Sequence, residues 1–131
     1  MRIDSPRRRE HLKAIAERMP AHLERLSWSA DQVARERQRA LRETLAHATA
    51  NAPWYGKRLA GIDPDTFTEA DLTSLPIMTK ADVMANWDDI VTDRRLTLEG
   101  ANAHITAKLR GETQDYYYLD DTEIFATGGS S

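Results

Sequence analysis

A mainly α-helical chain, with five to six helices followed by a C-terminal β-hairpin, is what the sequence predicts, and three observations predict it. Helix starts are written four times: Ser5-Pro6, Ser29-Ala30-Asp31-Gln32, Thr68-Glu69-Ala70-Asp71 and Thr79-Lys80-Ala81-Asp82 each place a capping side chain before a helical pattern. Apolar residues then recur at i, i+3, i+4 and i+7 rather than at every second position. Only after Gly111 does the texture change. There Tyr116-Tyr117-Tyr118-Leu119 and Glu123-Ile124-Phe125-Ala126 flank Asp120-Asp121, the pattern of two short strands around a turn.

The elements follow in order. Leu12, Ile15, Ala16 and Met19 form one apolar stripe on a first helix, which Pro20 is expected to end. A short turn carrying Leu23 and Leu26 comes next, then a junction at Trp28. The Ser29 capping box opens the longest helix, expected from about Ala30 to Ala50, with Val33, Leu41, Leu45 and Ala48 on one side and Arg35, Glu36, Arg39, Arg42 and Glu43 opposite. Asn51-Ala52-Pro53 stops it, and Trp54-Tyr55 ride on a short turn. Ile62-Asp63-Pro64-Asp65 is turn chemistry. Thr68 caps a brief helix broken at Leu75-Pro76. Thr79 starts another, expected to run through Val83, Trp87, Ile90 and Val91. Leu98 to Leu109 reads as a weaker helix interrupted by Gly100. Trp28, Trp54, Tyr55 and Trp87 are expected to anchor packing rather than to stack on a ligand.

With 131 residues, one hydrophobic core is within reach. The absence of cysteine excludes a disulfide scaffold and thiolate chemistry and agrees with a cytoplasmic location. No stretch approaches the ~18 apolar residues of a membrane span, and no apolar run follows the arginines at positions 7–9, so neither a membrane nor a secretory signal is expected. The net charge of -3 hides a polarity, +6 over residues 1–60 and -9 over residues 61–131. A basic half could suggest nucleic acid, but no nucleic-acid motif accompanies it, and solvated helix faces that attract the acidic half account for it. The histidines His11, His22, His47 and His104 have no partner at i+3 or i+4, so no metal site and no metal ligand is expected. Asp88-Asp89 and Asp120-Asp121 read as solvated or turn carboxylates. No catalytic residue is assigned.

The last five residues stand apart. Thr127-Gly128-Gly129-Ser130-Ser131 follows strand-forming residues and has the composition of a loop that cradles phosphates, where glycines admit an anion close to the backbone and amides and hydroxyls point at it. Two further segments give this loop a context. Leu41-Arg42-Glu43-Thr44-Leu45-Ala46-His47-Ala48 with Asn51-Ala52-Pro53-Trp54-Tyr55, and then Asp71-Leu72-Thr73-Ser74-Leu75-Pro76-Ile77-Met78-Thr79-Lys80-Ala81-Asp82, precede it in order. Together the three resemble the phenylacetate–CoA ligase branch of adenylate-forming (AMP-binding) enzymes over roughly residues 40–131.

The resemblance implies residues 1–30 as an N-terminal helical extension and residues 31–131 as the N-terminal part of an incomplete α/β adenylate-forming domain. It implies ATP with Mg²⁺ and coenzyme A as cofactors, a small carboxylic acid, aryl or other, as substrate, and Thr127, Gly128, Gly129, Ser130 and Ser131 as the phosphate-binding residues. The rest of the family's site is expected beyond residue 131. Losing even two charged hydrogen bonds to phosphate costs ~3–6 kcal/mol, so this chain alone is expected to be inactive. An uncovered hairpin edge is also expected to fray or to self-associate. Two alternatives stand beside the ligase: a small non-catalytic helical interaction module with its contact face near Arg7-Arg8-Arg9, and an α/β-hydrolase fragment in which Gly128-Gly129-Ser130-Ser131 begins a nucleophile elbow.

Overall fold

A computed structural model of the chain describes residues 6–126. Among the described residues the secondary structure is helical: α1 (Pro6–Glu24), a 3-10 turn (Arg25–Ser27), α2 (Ala30–Asn51), α3 (Pro53–Arg58), a 3-10 helix (Glu69–Ser74), α4 (Lys80–Ala85), α5 (Trp87–Ile90) and α6 (Leu98–Leu109). Packing divides the chain into two compact units, one from the residues up to 24 with those from 95 onward, the other from residues 25–94.

The unit of residues 25–94 is built on α2. Its capping box is present as read: the Ser29 hydroxyl accepts from the Gln32 N–H and the Gln32 side chain accepts from the Ser29 N–H at 2.8 Å. The helix ends where Ala52 is forced into extended backbone (φ -116°) by the following proline, and Pro53 immediately starts α3. Ala52 is buried at this corner. Gly56 lets α3 lie close to α2, since a Cβ there would sit 3.0 Å from the Thr49 carbonyl oxygen. Leu45, Leu59 and Phe67 close the core, with Leu41, Tyr55, Ile62 and Leu75 packed around it. The chain segment bearing Phe67 is tied to α2 by polar contacts. Gln38 Nε2 donates to the Phe67 carbonyl at 2.6 Å, Arg42 Nε donates to the same oxygen at 3.2 Å, and Arg37 Nε donates to Glu69 at 2.7 Å. Thr68 with Asp71 and Thr79 with Asp82 form two further capping boxes, as their spacing predicts. These boxes hold both aspartates below the usual carboxylate range, because each accepts from the threonine hydroxyl and backbone N–H. The helix expected to run unbroken from Thr79 to Val91 is two helices. Asn86 leaves helical geometry (φ -126°, ψ 21°), its side chain donates to the Asp82 carbonyl at 2.9 Å, and α5 restarts at Trp87.

In the other unit α1 does not stop at Pro20. It continues to Glu24 with the proline inside it, at an exposed position where water can take up the carbonyl that the missing N–H leaves unpaired. Gly100 does not interrupt α6 either. The helix runs from its Thr97 cap to a Schellman ending, with Gly111 at φ 73°, the Gly111 N–H on the Lys108 carbonyl and the Glu112 N–H on the Ala107 carbonyl at 2.9 Å.

The expected C-terminal β-hairpin is not formed among the described residues. A single antiparallel bridge joins Tyr118 and Thr122, their N–H groups donating to each other's carbonyls at 2.8 and 2.9 Å. Leu119 and Asp120 turn the chain with φ of 54° and 66°. The ladder stops there because the tyrosines that were to form it are spent on helices. Tyr116 lies beneath Arg8 and Lys108, Tyr117 meets His11, and Tyr118 packs on His104. Ring contacts with α1 and α6 outweigh the β-propensity of the run. The segment Glu123–Ala126, read as the second strand, is not a strand, so the hairpin edge on which self-association was expected is absent.

Candidate functional site

All five residues assigned to phosphate binding, Thr127, Gly128, Gly129, Ser130 and Ser131, lie outside the described residues. The segment leading into them has Ile124 half-buried and Phe125 exposed.

The other two segments of the resemblance meet one another inside residues 25–94. The Tyr55 hydroxyl donates to the Met78 sulfur at 3.7 Å, and Arg58 donates to the Ile77 carbonyl at 2.6 Å. Trp54 stands edge-on to Tyr55 with ring centroids 5.0 Å apart, and the Arg58 guanidinium covers its face at 4.6 Å. Trp87 is half-buried at the start of α5, which packs on α3. These side chains bind pieces of backbone together.

A cleft lies in the other unit. It has a volume of about 880 Å³ and is lined by Arg7 from α1, by Arg95 ahead of α6, and by Tyr116, Tyr117, Asp120 and Asp121 from the reversal. Arg95 donates to Asp121 at 2.8 Å across it. At its edge His11, Tyr117 and Glu123 converge: His11 Nδ1 lies 2.8 Å from the Tyr117 hydroxyl and 3.4 Å from the Glu123 carboxylate. Burial, reinforced by Glu123 and Tyr116, raises the Tyr117 hydroxyl above its ordinary range. The neutral phenol can donate or accept a hydrogen bond. On α6, His104 Nε2 is buried and has no hydrogen-bond partner. Burial lowers its pKa, Lys108 adds to the effect and Asp115 opposes it, so the ring is held neutral.

Gly100 makes this packing possible. A Cβ at that position would lie 2.1 Å from the Tyr118 hydroxyl oxygen and 3.2 Å from the ring carbon bearing it. The tyrosine therefore fills a notch that only glycine leaves open. Sequence reasoning missed both, because the cleft joins Arg7 to Arg95 and the tyrosines far along the chain, the notch joins Gly100 to Tyr118 across a helix end, and neither has a motif. The available signal was the coincidence of an unexplained helix glycine with an unbroken run of tyrosines. Among the described residues no group of three or more His, Asp or Glu side chains could hold a metal ion, and no helix is long and apolar enough to cross a membrane.

Comparison with known proteins returns no match: no protein-family model, no curated protein and no solved structure matches the chain.

Proposed function

We propose that the chain carries the N-terminal region of an AMP-forming carboxylic acid–CoA ligase of the phenylacetate–CoA ligase type, acting in the cytoplasm on an aryl or other organic acid. The observation that carries the reading is the order and spacing of Asn51–Tyr55, Asp71–Asp82 and the Gly/Ser loop 127–131. The contact of Tyr55 with Met78 and of Arg58 with Ile77 supports it, because it brings the first two segments of the resemblance together within residues 25–94.

In this reading the amides and hydroxyls of Thr127, Gly128, Gly129, Ser130 and Ser131 hold the β- and γ-phosphates of ATP. They stabilise charge on pyrophosphate as the substrate carboxylate takes the adenylyl group, before coenzyme A accepts the acyl group. Mg²⁺, when bound, neutralises phosphate charge.

The test is pyrophosphate release by the full translation product of the gene with ATP, coenzyme A and a panel of organic acids. Acid-dependent release that falls about a hundredfold in Gly129→Val is the expected result. The 131 residues alone are expected to be blank in the same assay and in calorimetric titration with ATP. No release with any acid from a folded product would overturn the reading. It would favour the helical interaction module, for which the exposed apolar face of α1 is the specific observation.

A further inference from the structure

The cleft beside α1 is lined by opposite charges, only some of which meet. Arg95 and Asp121 are joined at 2.8 Å. Arg7 lines the cleft from α1, whereas Asp115 and Asp120 line it from the segment after α6. Among the described residues, Arg7 pairs with Glu10 of its own helix, at 3.4 Å and in solvent. Asp115 accepts from the Thr113 hydroxyl at 3.4 Å. The Asp120 carboxylate has no partner among the described residues. A cation and two carboxylates thus share one cleft without pairing.

Contacts elsewhere hold the elements that carry them. Arg8 lies over the Tyr116 ring at 4.8 Å, and His11 Nδ1 meets the Tyr117 hydroxyl at 2.8 Å. The volume of about 880 Å³ falls within the ~300–1,000 Å³ of small-molecule sites. Tyr117 and Leu119 give it apolar lining.

These groups select a ligand by its two ends. A guanidinium takes a carboxylate through two parallel N–H···O bonds, and an aspartate accepts from an ammonium. A simple anion satisfies Arg7 but is repelled by the aspartates. A simple amine satisfies the aspartates but is repelled by Arg7. A molecule that carries both charges around an apolar body satisfies all three.

We propose that this cleft binds a small zwitterion, its carboxylate on Arg7 and its ammonium at Asp115 and Asp120. That chemistry is shared by an apolar amino acid and a short apolar peptide. The site is independent of the ligase reading and uses none of the residues that carry it.

The test is calorimetric titration of the chain with phenylalanine, the dipeptide phenylalanyl-phenylalanine, phenethylamine and 3-phenylpropionate. One of the two zwitterions should bind about ten- to a hundredfold more tightly than either half-charged analogue, and which one does so tells amino acid from peptide. Arg7→Gln should remove that advantage and leave phenethylamine binding unchanged. Asp115→Asn with Asp120→Asn should remove it and leave 3-phenylpropionate binding unchanged; asparagine suits the positive φ at position 120. In the unmodified chain the Tyr117 ring protons should shift on titration, a readout that needs no variant. Zwitterions that do not bind at millimolar concentration, a half-charged analogue that binds as tightly, variants that keep the full affinity, or Tyr117 signals that stay in place would each overturn the proposal.

Discussion

In residues 25–94, Leu45, Leu59 and Phe67 exclude water from a closed apolar contact, and the helices around them start from caps two or three residues away in sequence. In the unit of residues 6–24 and 95–126, Ala101 is the buried apolar residue among those described, and cohesion comes from rings meeting cations and one tyrosine lodged against a glycine. The first arrangement draws on removed apolar area, which tolerates small shifts of shape and is indifferent to protonation. The second draws on fit and on charge. It should therefore fail by steric and protonic insults that the first would absorb.

The hardest blow to the first arrangement is Phe67→Ala. Emptying the centre of the cluster is expected to cost ~3–5 kcal/mol. Trp28, Trp54 and Trp87 all belong to residues 25–94, so tryptophan emission during urea unfolding reads this unit selectively. A midpoint that stays in place would mean that the core does not hold the unit together.

A smaller loss of opposite character is expected from Gly100→Ala. Alanine favours a helix over glycine by ~1 kcal/mol, yet here its methyl group must displace Tyr118, and overpacking of this kind costs ~1–3 kcal/mol. Gly100→Ala with Tyr118→Phe should recover part of the loss, because the oxygen nearest the new methyl is gone. A stabilised Gly100→Ala protein would show that the notch is not a constraint.

Acid sharpens the contrast further. His104 has its pKa lowered below 6.5 in the folded chain, so the unfolded chain takes up a proton first as the pH falls. Its contribution is present above pH 6.5 and is lost below it. Glu69, Asp71 and Asp82 are held below their ordinary values of 4.5, 3.8 and 3.8 by Arg37 and by the two threonine caps. Their contribution is present above that range and lost as the pH falls through it. Lowering the pH from 7.5 to 5.5 should thus weaken the His104 unit and leave residues 25–94 intact until well below pH 5. Histidine ring protons followed by NMR against tryptophan emission would separate the two, and a His104 titrating at or above 6.5 would contradict the burial argument.

The same contrast governs what could be read from the sequence. Ser29 with Gln32, Thr79 with Asp82, and the Ala52-Pro53 corner were legible because both halves of each device lie within four residues. Pro20 misled because its rule concerns helix interiors in general, whereas this proline faces solvent. Asn86 was passed over because the apolar spacing from Val83 to Val91 runs on regardless of the break. The three tyrosines were read from their own propensity, and what decided their conformation was Arg8 and His11 about a hundred residues earlier. Gly100 could not be explained without Tyr118. Of the candidate site, the loop 127–131 was a matter of composition alone, while the cleft of Arg7, Arg95 and the tyrosines has no local signature.

Leu119 and Asp120 carry a consequence for how freely this chain can vary. Two successive residues at φ of 54° and 66° occupy a region that a branched side chain enters only at a penalty of ~1–2 kcal/mol each. Leu119 is at the surface, so its side chain gains little from being leucine. Mutational tolerance there should consequently rank by backbone and not by polarity. Glycine and asparagine should be accepted at both positions, and valine and isoleucine refused even where a hydrophobic residue now stands. A saturation library sorted for folded protein would display that inversion at two neighbouring codons.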